Sequence, residues 1–347
     1  MFDTELIQKL SDLSGVSGYE HNVGNFVTEL FSKYCDEVTT DNMGNIIAVK
    51  KSHFKNPYKL MIEAHMDEIG LMVTNIDENG FLYFTSVGGI DPRILLANEV
   101  IVHGKEDLYG IIGAKPPHVL TADEKTKTVP MDKMYIDIGM DEQKAKRLVS
   151  PGDTVTFKNK FLKLKNGVIS TKSQDDRTSV AILASVMKKL EIVNCPYDLY
   201  FVASVQEEVG LRGAKTAAYG INPDMAIVID VCHASTPDCS DGVYDFGSGA
   251  IITKGPNIHP KMLSKVQSSL DENGIKYEID IEGGDTGTNA WAVQVARCGI
   301  PTVLFSVPLR YMHTPVETVS TEDLSVIVNS ICAFCSQNDE TEGWLCY

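Results

Sequence analysis

"VASVQEEVGLRGA", residues 202–214, decides how the rest of the chain is read. An apolar run suited to a buried strand ends in two adjacent glutamates, Glu207 and Glu208. Carboxylates at the end of a core strand are costly unless something compensates them. The same punctuation recurs elsewhere. "KLMIEA" runs into His65-Met66-Asp67, "MAIVI" into Asp230, and "TVLFSV" is followed by "RYMHTP" with His313. "SQDD", with Asp175 and Asp176, precedes a helical pattern that starts near Arg177. In open α/β sheets, ligands bind beyond the carboxyl ends of the strands, so these stretches deliver two histidines and at least four carboxylates to one edge.

Each stretch alone has an ordinary reading. Asp175-Asp176 before a helix is an N-cap pair, stabilised by free N–H groups and the helix dipole. A Glu-Glu pair is a solvated strand exit, Asp230 a turn residue, and a strand-end histidine a satisfied polar group. All of these would have to hold independently, whereas one metal-centred site accounts for them together. The donor set mixes imidazole with carboxylate and contains no cysteine. It suits zinc, cobalt or manganese better than an iron–sulfur cluster or a structural zinc. Two histidines and three or more carboxylates suffice for two divalent metal ions per subunit if one carboxylate bridges.

Around these points the chain alternates strands and helices. Leu6, Leu10 and Leu13, then Val23, Phe26, Val27 and Leu30, follow helical spacing. "NIIAVK" and "KLMIEA" read as strands, the second apolar enough to be buried on both faces. From residue 70 the texture changes to short β runs, with a hairpin turn at Glu78-Asn79-Gly80 and two interruptions, "KPPHVLTADEKTKTVP" and the helical "DEQKAKRLV". After "NGVIS", Val180, Leu183, Ala184, Met187 and Leu190 mark an amphipathic helix. The strands "LYFVASV", "MAIVID", "GAIIT" and "TVLFSV" then alternate with helical stretches around 211–219, 260–273 and 288–298. The expected fold is α/β, a central mixed sheet flanked by helices. Residues 1–69 and 164–347 would form this discontinuous domain, and 70–163 an inserted β-rich one.

The 347 residues carry a formal net charge of -16, with 43% hydrophobic and 22% charged residues. That charge argues against non-specific nucleic-acid binding, which needs cationic surface. "MFDTELIQKL" lacks the basic segment and apolar core of a secretory signal, and no run reaches the ~20 apolar residues of a membrane span. The eight scattered cysteines read as reduced thiols of a cytoplasmic protein, Cys346 among them. Cys332-x-x-Cys335 reads as part of a buried helix, because no second Cys or His pair accompanies it.

"SGVSGYE", "AHMDEIGLMV", "GIIGAKPPHVL", "IDIGM", "DDR", "QEEVGLRGA", "ID" before "VCHAS", and "PLRYMHTPVE" occur in this order from about residue 13 to residue 318. Together they resemble the dinuclear metalloaminopeptidases of the glutamyl aminopeptidase and tetrahedral (TET) aminopeptidase family. The resemblance implies a zinc-peptidase-like α/β domain with a β-barrel-like domain inserted between His65 and Asp175. It implies that His65 and Asp230 hold one metal, Glu208 and His313 the other, and that Asp175 bridges. It further implies that Asp67 orients His65 and that Glu207 is the general base. Family members assemble through the inserted domain, often as dimers building a dodecamer, so a homo-oligomer is expected. Pro116, Pro117 and His118 belong either to a loop near a neighbour's site or to an ordinary rigid turn.

Two features depart from the family. "GGDTGTNA" has Asn289 where an aspartate is usual, and the aspartate after the metal-binding strand is displaced in "VCHASTPDCSDG". Both bear on substrate-side contacts rather than ligands. The activity implied is metal-dependent removal of N-terminal residues from short peptides, through a two-metal site, a bridging water and the Glu207 base. Adjacent strand residues point to opposite sides, so Glu207 and Glu208 are expected to divide base and ligand roles. A cellulase-like glycosidase, which needs a carboxylate pair but no histidine, and a metal-free peptide-binding scaffold are the alternatives.

Overall fold

The structure, a computed structural model, describes residues 2–337 apart from 238, 240 and 241. Cys346 and the acidic residues of "DCSD" in the displaced-aspartate stretch lie outside the described residues.

The Tyr58–His65 strand is buried throughout its C-terminal six residues, because it has a parallel neighbour on each side and helices on its faces. Its neighbours are Tyr197–Ser204 and Met225–His233, and Met225–His233 pairs in parallel with Thr302–Arg310. These four parallel strands form the middle of an 11-stranded mixed sheet. Antiparallel pairs extend it through Ile46–Lys50 and Glu37–Thr40 on one side and Thr318–Ser320, Val168–Ser170 and Leu162–Lys163 on the other. Ala250–Lys254 and Tyr277–Ile281 branch off the Thr302–Arg310 strand.

The Gln174–Leu190 helix differs from the amphipathic expectation. Only Ser185, Lys188 and Lys189 escape burial, because the helix packs against the sheet and against the flanking helices Thr4–Asp12 and Thr321–Cys335. Its apolar periodicity recorded one contact face, while small residues such as Ala181, Thr178 and Ser179 fill the others. The 288–298 stretch is helical only over Asn289–Val293. No helix among the described residues is long and apolar enough to cross a membrane.

Between Gly70 and Phe157 six strands close into a barrel, ordered Gly70–Ile76, Leu82–Val87, Met134–Asp137, Asp107–Ala114, Glu99–His103 and Thr154–Phe157. Glu78-Asn79-Gly80 turns its first hairpin, with Gly80 at φ 89°. The barrel has its own core, including Leu71, Val73, Val100, Ile112, Ile136 and Val155. "KPPHVL" forms a short 3-10 turn on which His118 is exposed. Cys332 and Cys335 both lie on the last helix, where burial raises both thiols, Cys332 to about 12.

Candidate metal centre

The parallel register brings the polar strand ends level. Ser204 pairs with His65, and Asp230 with Ser306, on neighbouring strands of one sheet. Asp175 reaches the same edge from the start of the Gln174–Leu190 helix, and His313 from the loop after Thr302–Arg310. His65 Nε2 lies 3.1 Å from Asp175 Oδ1, and His313 Nε2 lies 3.3 Å from Asp175 Oδ2 and 3.2 Å from Glu208 Oε2. Donor atoms of His65, Asp175 and Asp230 all fall within 4.8 Å of one another, as do those of Asp175, Glu208 and His313. Asp175 is common to both groups. A third such group joins His65 to Glu207 and Glu208.

The electrostatics of this donor set fit divalent cations. Burial pushes the carboxyls of Asp230 and Glu207 up, to about 8 and about 9, with neighbouring carboxylates adding to the effect on each. Burial also opposes ionisation of Asp175, but His313 and His65 against its two oxygens hold it well below the usual range. Burial disfavours a charged His313, yet Asp175 and Glu208 raise it to about 11. Buried carboxylates outnumber the two imidazoles, and the remaining anionic cost is what bound cations would remove. The mixed N/O donors fit zinc, cobalt or manganese.

The surrounding shell is built from main-chain donors. Asp67 Oδ1 lies 3.4 Å from His65 Nδ1 and accepts the Glu207 N–H at 3.0 Å. Its Oδ2 accepts Ser17 Oγ–H at 2.6 Å and the Glu208 N–H at 3.2 Å. Asp67 thus ties the histidine motif to the glutamate motif, and such partners fix a ligand's ring orientation. The glutamates themselves sit beyond the strand, which ends at Ser204. Their orientations are therefore set by a turn with Gln206 at φ 55°, and not by the pleat. The turn is held where Asn45 accepts the Val205 N–H at 3.0 Å and donates to Gly213 O at 3.0 Å.

Asp176 differs from the helix-cap reading. Ser173 occupies the cap position, and the fully buried Asp176 reaches back to accept the His65 N–H at 3.2 Å. The Asp175–Asp176 peptide is cis. Asn289 faces inward, 1% exposed, donating to Glu63 Oε1 at 2.8 Å and contacting Ser204 Oγ at 3.1 Å. Its contacts are thus to the protein interior. His118 belongs to none of the three donor groups.

Two carboxylates were not singled out from the sequence. Glu317, 2% exposed, accepts the His313 N–H at 2.8 Å and the Asp175 N–H at 3.0 Å. Glu68 accepts Lys172 Nζ at 2.6 Å and the Gly15 N–H at 2.9 Å, with Arg177 at 3.4 Å. Arg177 also donates to the Met66 and Leu10 carbonyls. The signal for Glu317 was its place four residues after His313, and for Glu68 its place beside Asp67.

The family model of the M42 glutamyl aminopeptidases matches residues 44–329. The lysyl aminopeptidase of Pyrococcus furiosus is 36% identical, the match covering 93% of this chain and 94% of that one. The TET aminopeptidase of a marine sediment Thaumarchaeota archaeon superposes with a TM-score of 0.92 at 30% identity, covering 97% of this chain and 96% of that one. The Pyrococcus horikoshii TET1 peptidase, described as assembling into a tetrahedron or a large octahedral shell, superposes at 0.85 with 33% identity over 96% and 99%. The chain belongs to the M42 glutamyl aminopeptidase family.

Proposed function

We propose that this M42 family member is a metal-dependent aminopeptidase that removes N-terminal residues from short peptides. The observation that carries the reading is the sharing of Asp175 between two donor groups at one sheet edge. His65 and Asp230 would hold one cation and Glu208 and His313 the second, with Asp175 available to both. Two such cations, zinc or cobalt with manganese as the alternative, would polarise the scissile carbonyl and ease deprotonation of the attacking water.

The chain's own residues do the rest. Glu207 lies 4.0 Å from His65 Nε2. It takes the water proton and passes it to the leaving amine. Asp67 holds the His65 ring, and Glu317 holds the backbone of His313 and Asp175. A glycosidase would leave His65 and His313 without a role, and a scaffold would leave the buried carboxylates uncompensated.

Residues 1–69 and 164–347 act as the catalytic domain, and 70–163 as the oligomerisation domain. Support for the second assignment comes from the barrel's outer face, where Tyr109 and Ile111 are exposed on the Asp107–Ala114 strand. Exposed apolar side chains in such a position suit a subunit contact.

Glu207→Gln tests the reading. It should bind both metals yet lose about 10²–10⁴-fold in kcat, the range for a general base. Native-rate hydrolysis by that variant sinks the assignment. His65→Ala and His313→Ala should each lower the metal content measured by plasma emission, and an unchanged stoichiometry rejects the ligand map.

A further inference from the structure

A cavity of about 360 Å³ opens beside the candidate centre and runs away from it across the sheet. Register defines its floor. Asp230 pairs with Ser306, Ser306 with Ile251, and Thr253, two residues on, with Asp280. Paired residues, and residues two apart on a strand, share a face. The face that carries Asp230 therefore continues through Ser306 and Thr253 to Asp280, and Glu282 follows just past the strand end.

The chemistry of this far end is one-sided. Asp280 and Glu282 line it, outside all three donor groups of the centre. No lysine or arginine lines the cavity, and among the described residues neither carboxylate has a lysine or arginine ion-pair partner. Among the described residues, Asp280 accepts a hydrogen bond from the Tyr244 hydroxyl alone, at 2.7 Å. Thr253 is fully buried, and its Oγ1 has no hydrogen-bond partner among the described residues although the residue lines the cavity. An unpartnered buried hydroxyl beside two unpaired carboxylates is a polar site awaiting a donor.

We propose that this cavity receives the side chain of the substrate's N-terminal residue and selects lysine and arginine, with Asp280 and Glu282 as the specificity-determining residues. The inference rests on the aminopeptidase reading above. A lysine carries its ammonium about 6 Å beyond its Cα, enough to leave the centre and approach the next strands, whereas a leucine stops short. A cation there meets both carboxylates and the Thr253 hydroxyl oxygen. A glutamyl side chain meets like charge, and a leucyl side chain leaves the carboxylates desolvated without compensation.

The test uses the full chain loaded with zinc, cobalt or manganese. It compares lysyl-, arginyl-, leucyl- and glutamyl-p-nitroanilides, and measures binding of free L-lysine, L-leucine and L-glutamate by calorimetry. The kcat/KM for lysyl and arginyl substrates should exceed that for leucyl by about tenfold or more, with glutamyl lowest, and L-lysine should bind more tightly than L-leucine. In Asp280→Asn/Glu282→Gln the lysyl-to-leucyl ratio should fall by about tenfold, mostly through KM, with metal content unchanged. If the double variant does not fold, Asp280→Asn alone should lower the same ratio about threefold.

Leucyl or glutamyl substrates cleaved as well as lysyl, or an unaltered ratio in the variant, overturn the pocket assignment and leave the aminopeptidase reading standing. No cleavage of any substrate, with L-lysine still bound preferentially through Asp280 and Glu282, supports the pocket and overturns only the catalytic reading. No cleavage and no lysine preference overturn both.

Discussion

Replacing Glu317 by alanine removes a buried carboxylate that holds the backbones of two candidate metal ligands, His313 and Asp175, at once. Its oxygens accept the N–H groups of His313 at 2.8 Å and Asp175 at 3.0 Å, in a position 2% exposed. His313 adopts φ 58°, a left-handed backbone that costs a residue with a Cβ about 1–3 kcal/mol and needs surrounding support. Each buried donor left without an acceptor costs about 1–3 kcal/mol, so two donors cost about 2–6 kcal/mol if the backbone stays in place. If the His313 loop relaxes towards water instead, the loss moves to metal binding, where disrupting a supporting hydrogen bond costs about 10–100-fold. Glu317→Gln keeps one carbonyl oxygen and should lose about half as much stability as the alanine variant. Urea unfolding of the metal-free protein reads the first quantity, and competition with a chromogenic chelator reads the second. A Glu317→Ala protein within about 0.5 kcal/mol of the parent, with metal affinity within about twofold, refutes the reasoning.

Two other perturbations follow from the shell around the centre. Glu68→Gln leaves Lys172 and Arg177 buried with their shared anion gone, and should destabilise by about 3–5 kcal/mol in urea unfolding at neutral pH. Burial pushes the Glu68 carboxyl up, but Lys172 and Arg177 outweigh it and hold the group below its usual range. Its contribution is therefore present above the unfolded value of about 4.5 and lost as pH falls through the lower folded value. The variant should show a flatter acid limb of stability than the parent; an identical pH profile rejects the pairing. Gly213→Ala would place a Cβ 2.6 Å from Val205 N, at the turn that carries Glu207 and Glu208. Overpacking of this kind costs about 1–3 kcal/mol, and a variant as stable as the parent by thermal unfolding would show that the turn yields freely.

Much of the α/β alternation was legible because hydrophobic periodicity is a local property. "KLMIEAH", "LYFVAS", "MAIVID" and "TVLFSV" each declare a buried strand, and the residue that ends each run declares a polar edge. The candidate donors were legible for the same reason, since every one follows an apolar run or starts a helix. Asp176 shows where local reading stopped. An acidic residue before a helix looks like a cap, yet its partner is the His65 N–H, 111 residues away. The pleat argument for the two glutamates does not apply, because the strand ends at Ser204, before them.

By itself, then, the sequence determined which segments are buried and which polar residues stand at their ends, because both follow from spacing along the chain. Only the tertiary structure decided what each buried carboxylate meets. Strand order puts Asp230 beside His65, the helix start puts Asp175 between two imidazoles, and the His313 loop lays its N–H on Glu317. The branch strands bring Asp280 and Thr253 to a cavity shared with Asp230. A carboxylate's role is set by the charges and donors within a few ångströms, and those come from residues remote in sequence.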